Sequence, residues 1–595
     1  MNKIIASLGL LLSLSVIASP LQAAPDVGAE VARLLREQGL QGAVWTTLDR
    51  QGAAGVSNAR TGAPMAVTQA VQVGSIAKTV LAVGILRLVS EGRLSLDAPV
   101  AQLLPGIRFD NPWEASDPVR VRHLLDHTAG LDDARLWHVF SMRAAADTPL
   151  AAAFPPDTGL LRVRQRPGTR CSYSNLGYTL LGMVVEAVAG QAYESYLDLV
   201  LLAPLGMHDS SFAFHTQERE PRLAMGHFEH GVAHAAVPTY VRPAGQFTTT
   251  AADMGRLARF LMSDGRLAGQ PFIDAALLRQ MGEPLTTEAA RAGLRAGFGL
   301  GLRRVDRHGV LAKCHGGSTV GFRAMLCLFP DTQQAFFIAI NSDSEVADYA
   351  KFDAMLIRAL MPAAPRTPPL AAPRFANGAR DGWYVATPNR FHTFRFIDTV
   401  FNPVHVSSDR QSLTLVSPQS AALTLQHVEG GLFRAPDKQQ ASHAFMIAPA
   451  GPAVMSTGTQ SYEQVPPWYL PLLWFSTSAG VLGLAYIIVT PLLRLARRRM
   501  AWRDPLLAPF VGVLALLLPL PLFYQQSFLQ LGELTAASAL LAVVTAALPA
   551  TMLAGLGGVL RRRHSARADA IAMLAVLQLS VLLACWGLLP LRLWV

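Results

Sequence analysis

VGSIAKT, residues 73–79, sets a serine three residues before a lysine at the mouth of a long apolar run. Helical spacing of three puts Ser75 and Lys78 on one face, within reach of each other. The preceding QAVQVG reads as strand or loop, which places Ser75 at a helix N-terminus, where the dipole favours the negative charge of an alkoxide. Serine is a poor nucleophile until a base takes its proton, and a lysine serves once burial or neighbouring cations lower its pKa. Alone the pair is weak. With 33 serines and five lysines in 595 residues, chance supplies roughly 0.3 such pairs.

Two further stretches give it company. In RPGTRCSYSNLGYTLLGMVVEAVAG, residues 166–190, Tyr173, Ser174 and Asn175 precede a helix of amphipathic period. Tyr173 is an acid/base candidate where nearby cations depress its phenol, and Asn175 both donates to and accepts from an amide. Taken by itself the stretch is equally a helix cap with a half-buried tyrosine. In LAKCHGGSTVGFRAMLCLFP, residues 311–330, a strand carries His315, Gly316 and Gly317 and leads into a second strand-like run. Glycines let a ligand approach the strand backbone, and the Ser318 N–H just after them is a candidate oxyanion donor. Alternation points Lys313 and His315 one way and Cys314 the other. The competing reading is a glycine hairpin with an incidental histidine.

In this order and with these surroundings, the three stretches resemble the serine β-lactamase and penicillin-binding fold, specifically the class C β-lactamase-related family of serine hydrolases. VRHLLDHTAGL, residues 121–131, resembles a further signature of that family, and CHGGSTVGFR its final motif. The resemblance spans residues 25–361 and implies an α/β (α+β) domain. It also implies Ser75 as acylated nucleophile, Lys78 as the group that assists its deprotonation and Tyr173 as a proton-exchanging residue. Asn175 would then orient the substrate amide, with His315 and Gly317 in the substrate site and His315 helping to hold a substrate carboxylate or to polarise the site. The backbone N–H groups of Ser75 and Ser318 would form the oxyanion hole. No metal or other cofactor is needed. Histidine at 315 in place of the lysine usual in true β-lactamases weakens the expectation of efficient antibiotic hydrolysis. RPAGQFTTTAADMGRLARFL, residues 242–261, resembles a helix-opening segment of the family, with Gln246 where a second glycine is common; Thr250 reads as a helix cap with Asp253 in the capping-box place.

Outward from this region the chain changes character. MPAAPRTPPLAAP begins a proline-rich linker, residues 362–382, because proline continues neither helix nor central strand. Residues 383–465 carry short runs, TFRFI, SLTLVS, ALTLQHV and HAFMIA, that suggest a small β-rich accessory domain. Four apolar stretches follow within 469–591, at about 469–493, 506–524, 534–560 and 570–591, each near the ~20 residues that cross a bilayer. The net charge of +10 could suggest nucleic acid, but the arginines of RLARRRM (494–500) and RRRHSAR (561–567) flank the first and third spans, whereas QQSFLQLGE (525–533) has neither lysine nor arginine. That asymmetry favours membrane orientation over a nucleic-acid partner and places everything before Trp468 outside the cytoplasm. Residues 1–23, with Lys3, an apolar stretch and small residues near Ala23, read as a cleavable secretory signal, a retained anchor being the alternative. The two signals agree on one topology.

Other features are set aside. His227, His230 and His234 in HFEHGVAH suggest zinc, but glycine and alternation favour a hairpin loop and no fourth ligand is paired with them. His127 reads as packed framework. Of Cys171, Cys314, Cys327 and Cys585, at most one bridge joins the first three; Cys171 and Cys314 both adjoin site motifs, yet buried free thiols are the favoured reading. The expected protein is a multi-pass serine hydrolase of a bacterial cytoplasmic membrane, its catalytic domain in the periplasm or cell exterior. It acts on an ester, amide or D-amino-acid peptide, with β-lactams as substrate or inhibitor. The competing expectation is a sensor or scaffold that binds penicillin or cell-wall fragments without turnover. Transport is disfavoured because the spans carry almost no internal charge.

Overall fold

The computed structural model describes residues 26–361, 381–409, 412–447, 451–561 and 567–594. The expected signal, residues 1–23, and nearly all of the expected linker lie outside the described residues.

The strands Gly42–Thr47 and Gln334–Ile340 are buried almost throughout, because they run through the middle of an eight-stranded antiparallel sheet and carry apolar side chains to both faces. The sheet runs in the order Gly297–Phe298, Arg303–Arg307, Val310–Thr319, Phe322–Phe329, Gln334–Ile340, Gly42–Thr47, Gln51–Asn58, Ala63–Pro64. One face is covered by the first helix, Val27–Gln38, and by Ala350–Leu360, through Val31, Leu35, Phe352 and Leu356 against Trp45 and Phe336. The other face carries the larger core, which contains the helices Ala77–Ser90, Asn175–Ala189 and Ala251–Leu261. Helices on both faces of an antiparallel sheet are the α+β arrangement the motifs imply. The helix Ala77–Ser90 is buried all round rather than amphipathic, so it is the central rod of that core.

Residues 382–464 form a closed eight-stranded antiparallel barrel, Gly382–Ala386 pairing with both Val404–Ser408 and Ser461–Gln464. Closure leaves no free edge. TFRFI, expected as a strand, is instead a 3-10 turn His392–Phe394 and a helix Arg395–Phe401. The reason is its partner: Phe396 and Val400, four apart, share a helix face and pack on Leu473 of the long apolar helix Tyr469–Ala496, with Trp586 against Phe396.

Four helices, Tyr469–Ala496, Leu507–Gln525, Ala536–Leu560 and Arg567–Cys585, are long and apolar enough to cross a membrane. The fourth ends at Cys585, six residues earlier than the apolar run, because Gly587 adopts a left-handed φ of 77° and Pro590 follows. Arg494, in the last turn of the first of these, bridges Asp504 in the connection that follows and Asp569 in the first turn of the fourth, at 2.8 and 2.9 Å.

Candidate active site

Three chain segments meet at Ser75. The 3-10 turn Gly74–Ile76 leads directly into the helix Ala77–Ser90, so Ser75 stands at its entry and Lys78 one turn on. Ser174 caps the helix Asn175–Ala189, its Oγ accepting from Gly177 N, which leaves Tyr173 and Asn175 on either side of the cap. The second half of the strand Val310–Thr319 extends past its neighbour, whose pairing stops at Arg303 opposite Cys314. Residues 315–319 therefore keep one free edge, and it lies along the turn that carries Ser75. Two glycines permit that approach. A Cβ on Gly317 would stand 1.8 Å from Val73 O and 2.9 Å from Ser75 N, and one on Gly74, at φ 53°, would meet Ser318 backbone atoms at about 2.5–2.6 Å. Gly317 is thus a close-approach residue that brings the backbone of Ser318 beside that of Ser75.

Lys78 is fully buried. Its Nζ donates to Asn175 Oδ1 at 2.7 Å, to Ala244 O at 2.6 Å and lies 3.0 Å from Ser75 Oγ. The first two partners only accept from it. They occupy two N–H groups, so in the neutral amine the lone pair is left facing the serine hydroxyl. Burial pushes the Lys78 ammonium down to about 7, helped by the Arg390 cation and opposed by Asp133.

Tyr173 behaves otherwise. Burial pushes its phenol above the ordinary value, against the opposing pulls of a hydrogen bond with Ser75 and of Arg390. The cations near its ring, Lys78 Nζ at 5.1 Å and the Arg390 guanidinium at 4.6 Å, do not overcome that burial, so the sequence condition for a depressed phenol is not met. The neutral phenol is the form that sits beside Ser75.

His315 faces the same cavity as Ser75, Tyr173, Asn175, Gly317 and Ser318. Burial, reinforced by Lys78, pushes it down to about 3. Its Nδ1 is 2.7 Å from Gly316 O; a carbonyl only accepts, so Nδ1 carries the proton and the buried, unpartnered Nε2 is an acceptor. A neutral ring of this tautomer carries no charge and presents Nε2 as an acceptor, an arrangement suited to polarising or accepting from a substrate N–H or O–H.

Two residues near the site, Asp133 and Arg390, escaped the sequence reading. Asp133, buried, accepts from Asn175 N at 2.7 Å, from Ala134 N and from Arg390 Nε at 2.7 Å. Arg390 belongs to the loop between the first barrel strand and the helix Arg395–Phe401. Neighbouring bonds hold that loop on the hydrolase: His392 N donates to Asp132 Oδ1 and Arg164 Nη1 donates to Asn389 O. His127, read as framework, packs its ring 4.1 Å from that of Tyr173 and accepts at Nδ1 from Ser174 N, so it buttresses the tyrosine; burial holds it well below its ordinary value.

The cysteine expectation changes. Cys314 is bonded to Cys327, directly opposite in the hairpin register, while Cys171 is a buried free thiol that burial pushes up to about 12. Cys314 points away from Ser75, as alternation required, and joins the core under the first helix. His227 and His234 sit on the two strands of a short hairpin. His227 accepts at Nε2 from Ala59 N, and its Nδ1 lies 2.8 Å from Asn341 O, so neither nitrogen is open to a metal. Thr250 caps Ala251–Leu261 as expected, but the Asp253 carboxylate accepts from Asp209 N and Ser210 Oγ rather than closing a capping box.

Residues 27–360 match the Beta-lactamase family. The chain belongs to that family. Among its relatives, Penicillin-binding protein 4 of Amycolatopsis lactamdurans is 30% identical over 296 residues, which are 47% of this chain and 74% of that protein. Esterase EstB of Burkholderia gladioli is 32% identical over 251 residues, 37% of this chain and 63% of the esterase. The crystal structure of SurE is similar with a TM-score of 0.50 and 25% identity, covering 74% of this chain and 98% of that one. That share is larger than residues 27–360 alone supply, so the likeness reaches beyond the family region. Family and relatives together support a serine hydrolase.

Proposed function

We propose that the chain is a membrane-anchored serine hydrolase that works through an acyl-enzyme on Ser75. The observation that carries this reading is the buried Lys78 amine, 3.0 Å from Ser75 Oγ, with two other donors already occupied. Neutral Lys78 takes the Ser75 proton as Oγ attacks the carbonyl carbon, and the Ser75 and Ser318 N–H groups receive the developing oxyanion. The leaving oxygen or nitrogen departs with a proton relayed from Lys78 through the neutral Tyr173 phenol. Water then attacks the ester carbonyl, its proton passes to neutral Lys78 directly or through the Tyr173 hydroxyl, and Lys78 returns a proton to Ser75 Oγ, which leaves as a hydroxyl. Asn175 orients the substrate amide, and Nε2 of His315 accepts from a substrate donor.

Substrates of this reading are esters, amides or D-amino-acid peptides, with β-lactams as substrate or inhibitor. The hydrolase and barrel lie outside the cytoplasm of a bacterial cell, the four helices in its cytoplasmic membrane. The arginine placement supports that orientation, and so does a Cys314–Cys327 disulfide, which persists in oxidising compartments. One observation favours the non-turnover sensor as a second reading: Glu533, between the second and third spans, accepts from Ser141 Oγ and Met142 N, a direct tie from membrane region to hydrolase. Mass spectrometry after fluorophosphonate treatment separates the outcomes. The expected result is one adduct at Ser75, absent in Ser75→Ala, with turnover of an ester panel; labelling that persists in the variant defeats the assignment, and an adduct without turnover selects the sensor.

A further inference from the structure

The wall of the Ser75 cavity is not built by the hydrolase alone. Phe528, from the loop between the second and third membrane helices, and Leu591 and Leu593, beyond the fourth, line the same cavity as Ser75. Phe528 packs 4.8 Å from Phe228, 5.4 Å from His234 and 6.2 Å from Phe140. The contact is fixed by backbone bonding: Gly532 N donates to Phe140 O at 2.9 Å, beside the Glu533 bonds to Ser141 and Met142. Phe528 is three residues past Gln525, the last residue of a span. Three residues reach at most about 10 Å, so this wall of the cavity lies at the end of a membrane helix. The same cavity is lined by Val232, 54% exposed, and Phe391, 37% exposed. Exposed apolar side chains along one cavity offer a surface to an apolar ligand, and in the proposed topology the nearest apolar phase is the bilayer.

We infer that the Ser75 site takes an amphiphilic acyl substrate from the adjoining bilayer leaflet, with the scissile ester or amide at Ser75 and an alkyl chain along the Phe140–Phe228–Phe528 wall. This rests on the serine-hydrolase reading and names its substrate class. The chain would enter between the span ends and the hydrolase, so the polar group reaches Ser75 while the tail stays on apolar surface.

The test uses the full chain in phospholipid nanodiscs with 4-methylumbelliferyl acetate and decanoate. The expected kcat/KM ratio, decanoate over acetate, is tenfold or more. Phe528→Ser should lower that ratio at least threefold, and Phe528→Leu, which keeps the packing, should restore it. A ratio within threefold of one, or one indifferent to Phe528→Ser, overturns the inference while acetate turnover and the Ser75 adduct keep the hydrolase reading. Absence of both turnover and adduct removes the two together.

Discussion

Replacing Arg390 by methionine should move the acid limb of the pH–rate profile to higher pH. Lys78 must be neutral to accept the Ser75 proton. With its pKa at about 7 it is half neutral at pH 7, whereas a lysine at its ordinary value of 10.5 is neutral in only about one molecule in 3,000. Acylation should therefore climb tenfold per pH unit below 7 and level off above. Neither histidine of the site supplies such a limb, since His315 is held at about 3 and His127 well below its ordinary value. Arg390 and Lys78 lie 4.6 and 5.1 Å from the same Tyr173 ring centroid, so the two cations are at most about 10 Å apart. At that separation their repulsion is worth about 0.4 kcal/mol in a water-like dielectric and about 1.7 kcal/mol at an effective dielectric of 20. The variant loses this repulsion and frees the opposing Asp133 charge, and both changes raise the Lys78 pKa, by about 0.3 to 1.2 units. Below pH 6 the variant should be about two- to fifteenfold slower in pre-steady-state acylation of a fluorogenic ester, with its high-pH plateau kept. A limb that stays in place, moves to lower pH, or is missing between pH 5.5 and 8.5 refutes Lys78 as the base.

Gly317→Ala places a Cβ 1.8 Å from Val73 O, so the strand edge must withdraw from Ser75; kcat for ester hydrolysis should fall about 10²- to 10³-fold, the cost of one oxyanion donor. Replacing Cys314 and Cys327 together by serine opens a link of sequence separation 13 and should lower stability by about 3 kcal/mol in denaturant unfolding, while Ser75 labelling persists because the bridge faces the other side of the sheet. Cysteine introduced at the exposed Trp502 should resist a membrane-impermeant maleimide in intact cells, whereas cysteine at exposed Val346 should react; the reverse pattern overturns the topology.

The lysine–serine spacing, the capped helix behind Asn175 and the glycine-bearing strand were legible because each is a local pattern whose physics is contained in a few residues. Even the disulfide was within reach. With Val320–Gly321 as the turn, the hairpin register sets Cys314 opposite Cys327, and the pairing follows once the hairpin reading is extended along both strands. TFRFI was not legible, because apolar residues at 394, 396 and 397 satisfy either period. Only the membrane helix under Phe396 and Val400 decides for a helix. Arg390 was least accessible. No local pattern distinguishes it from other loop arginines, and its role comes from a barrel loop landing on Asp133, 257 residues earlier in the chain.

That landing makes Asp133 the joint between modules. Its carboxylate holds Asn175 N, and the Asn175 side chain holds Lys78 Nζ at 2.7 Å. The same carboxylate holds Arg390, whose backbone neighbours are bonded to Asp132 and Arg164. Burial holds the Lys78 pKa down; the Asp133 carboxylate opposes it, and the Arg390 cation from the barrel adds a smaller push in the direction of burial. On the proposed mechanism the hydrolase region carries the reacting groups, and a residue that only the following domain provides contributes to the proton affinity of the base. The membrane region adds the third contact, through Glu533 and Phe528. With residues of all three regions lining one cavity, the proposed chemistry draws on the appended parts of the chain and not on the hydrolase region alone.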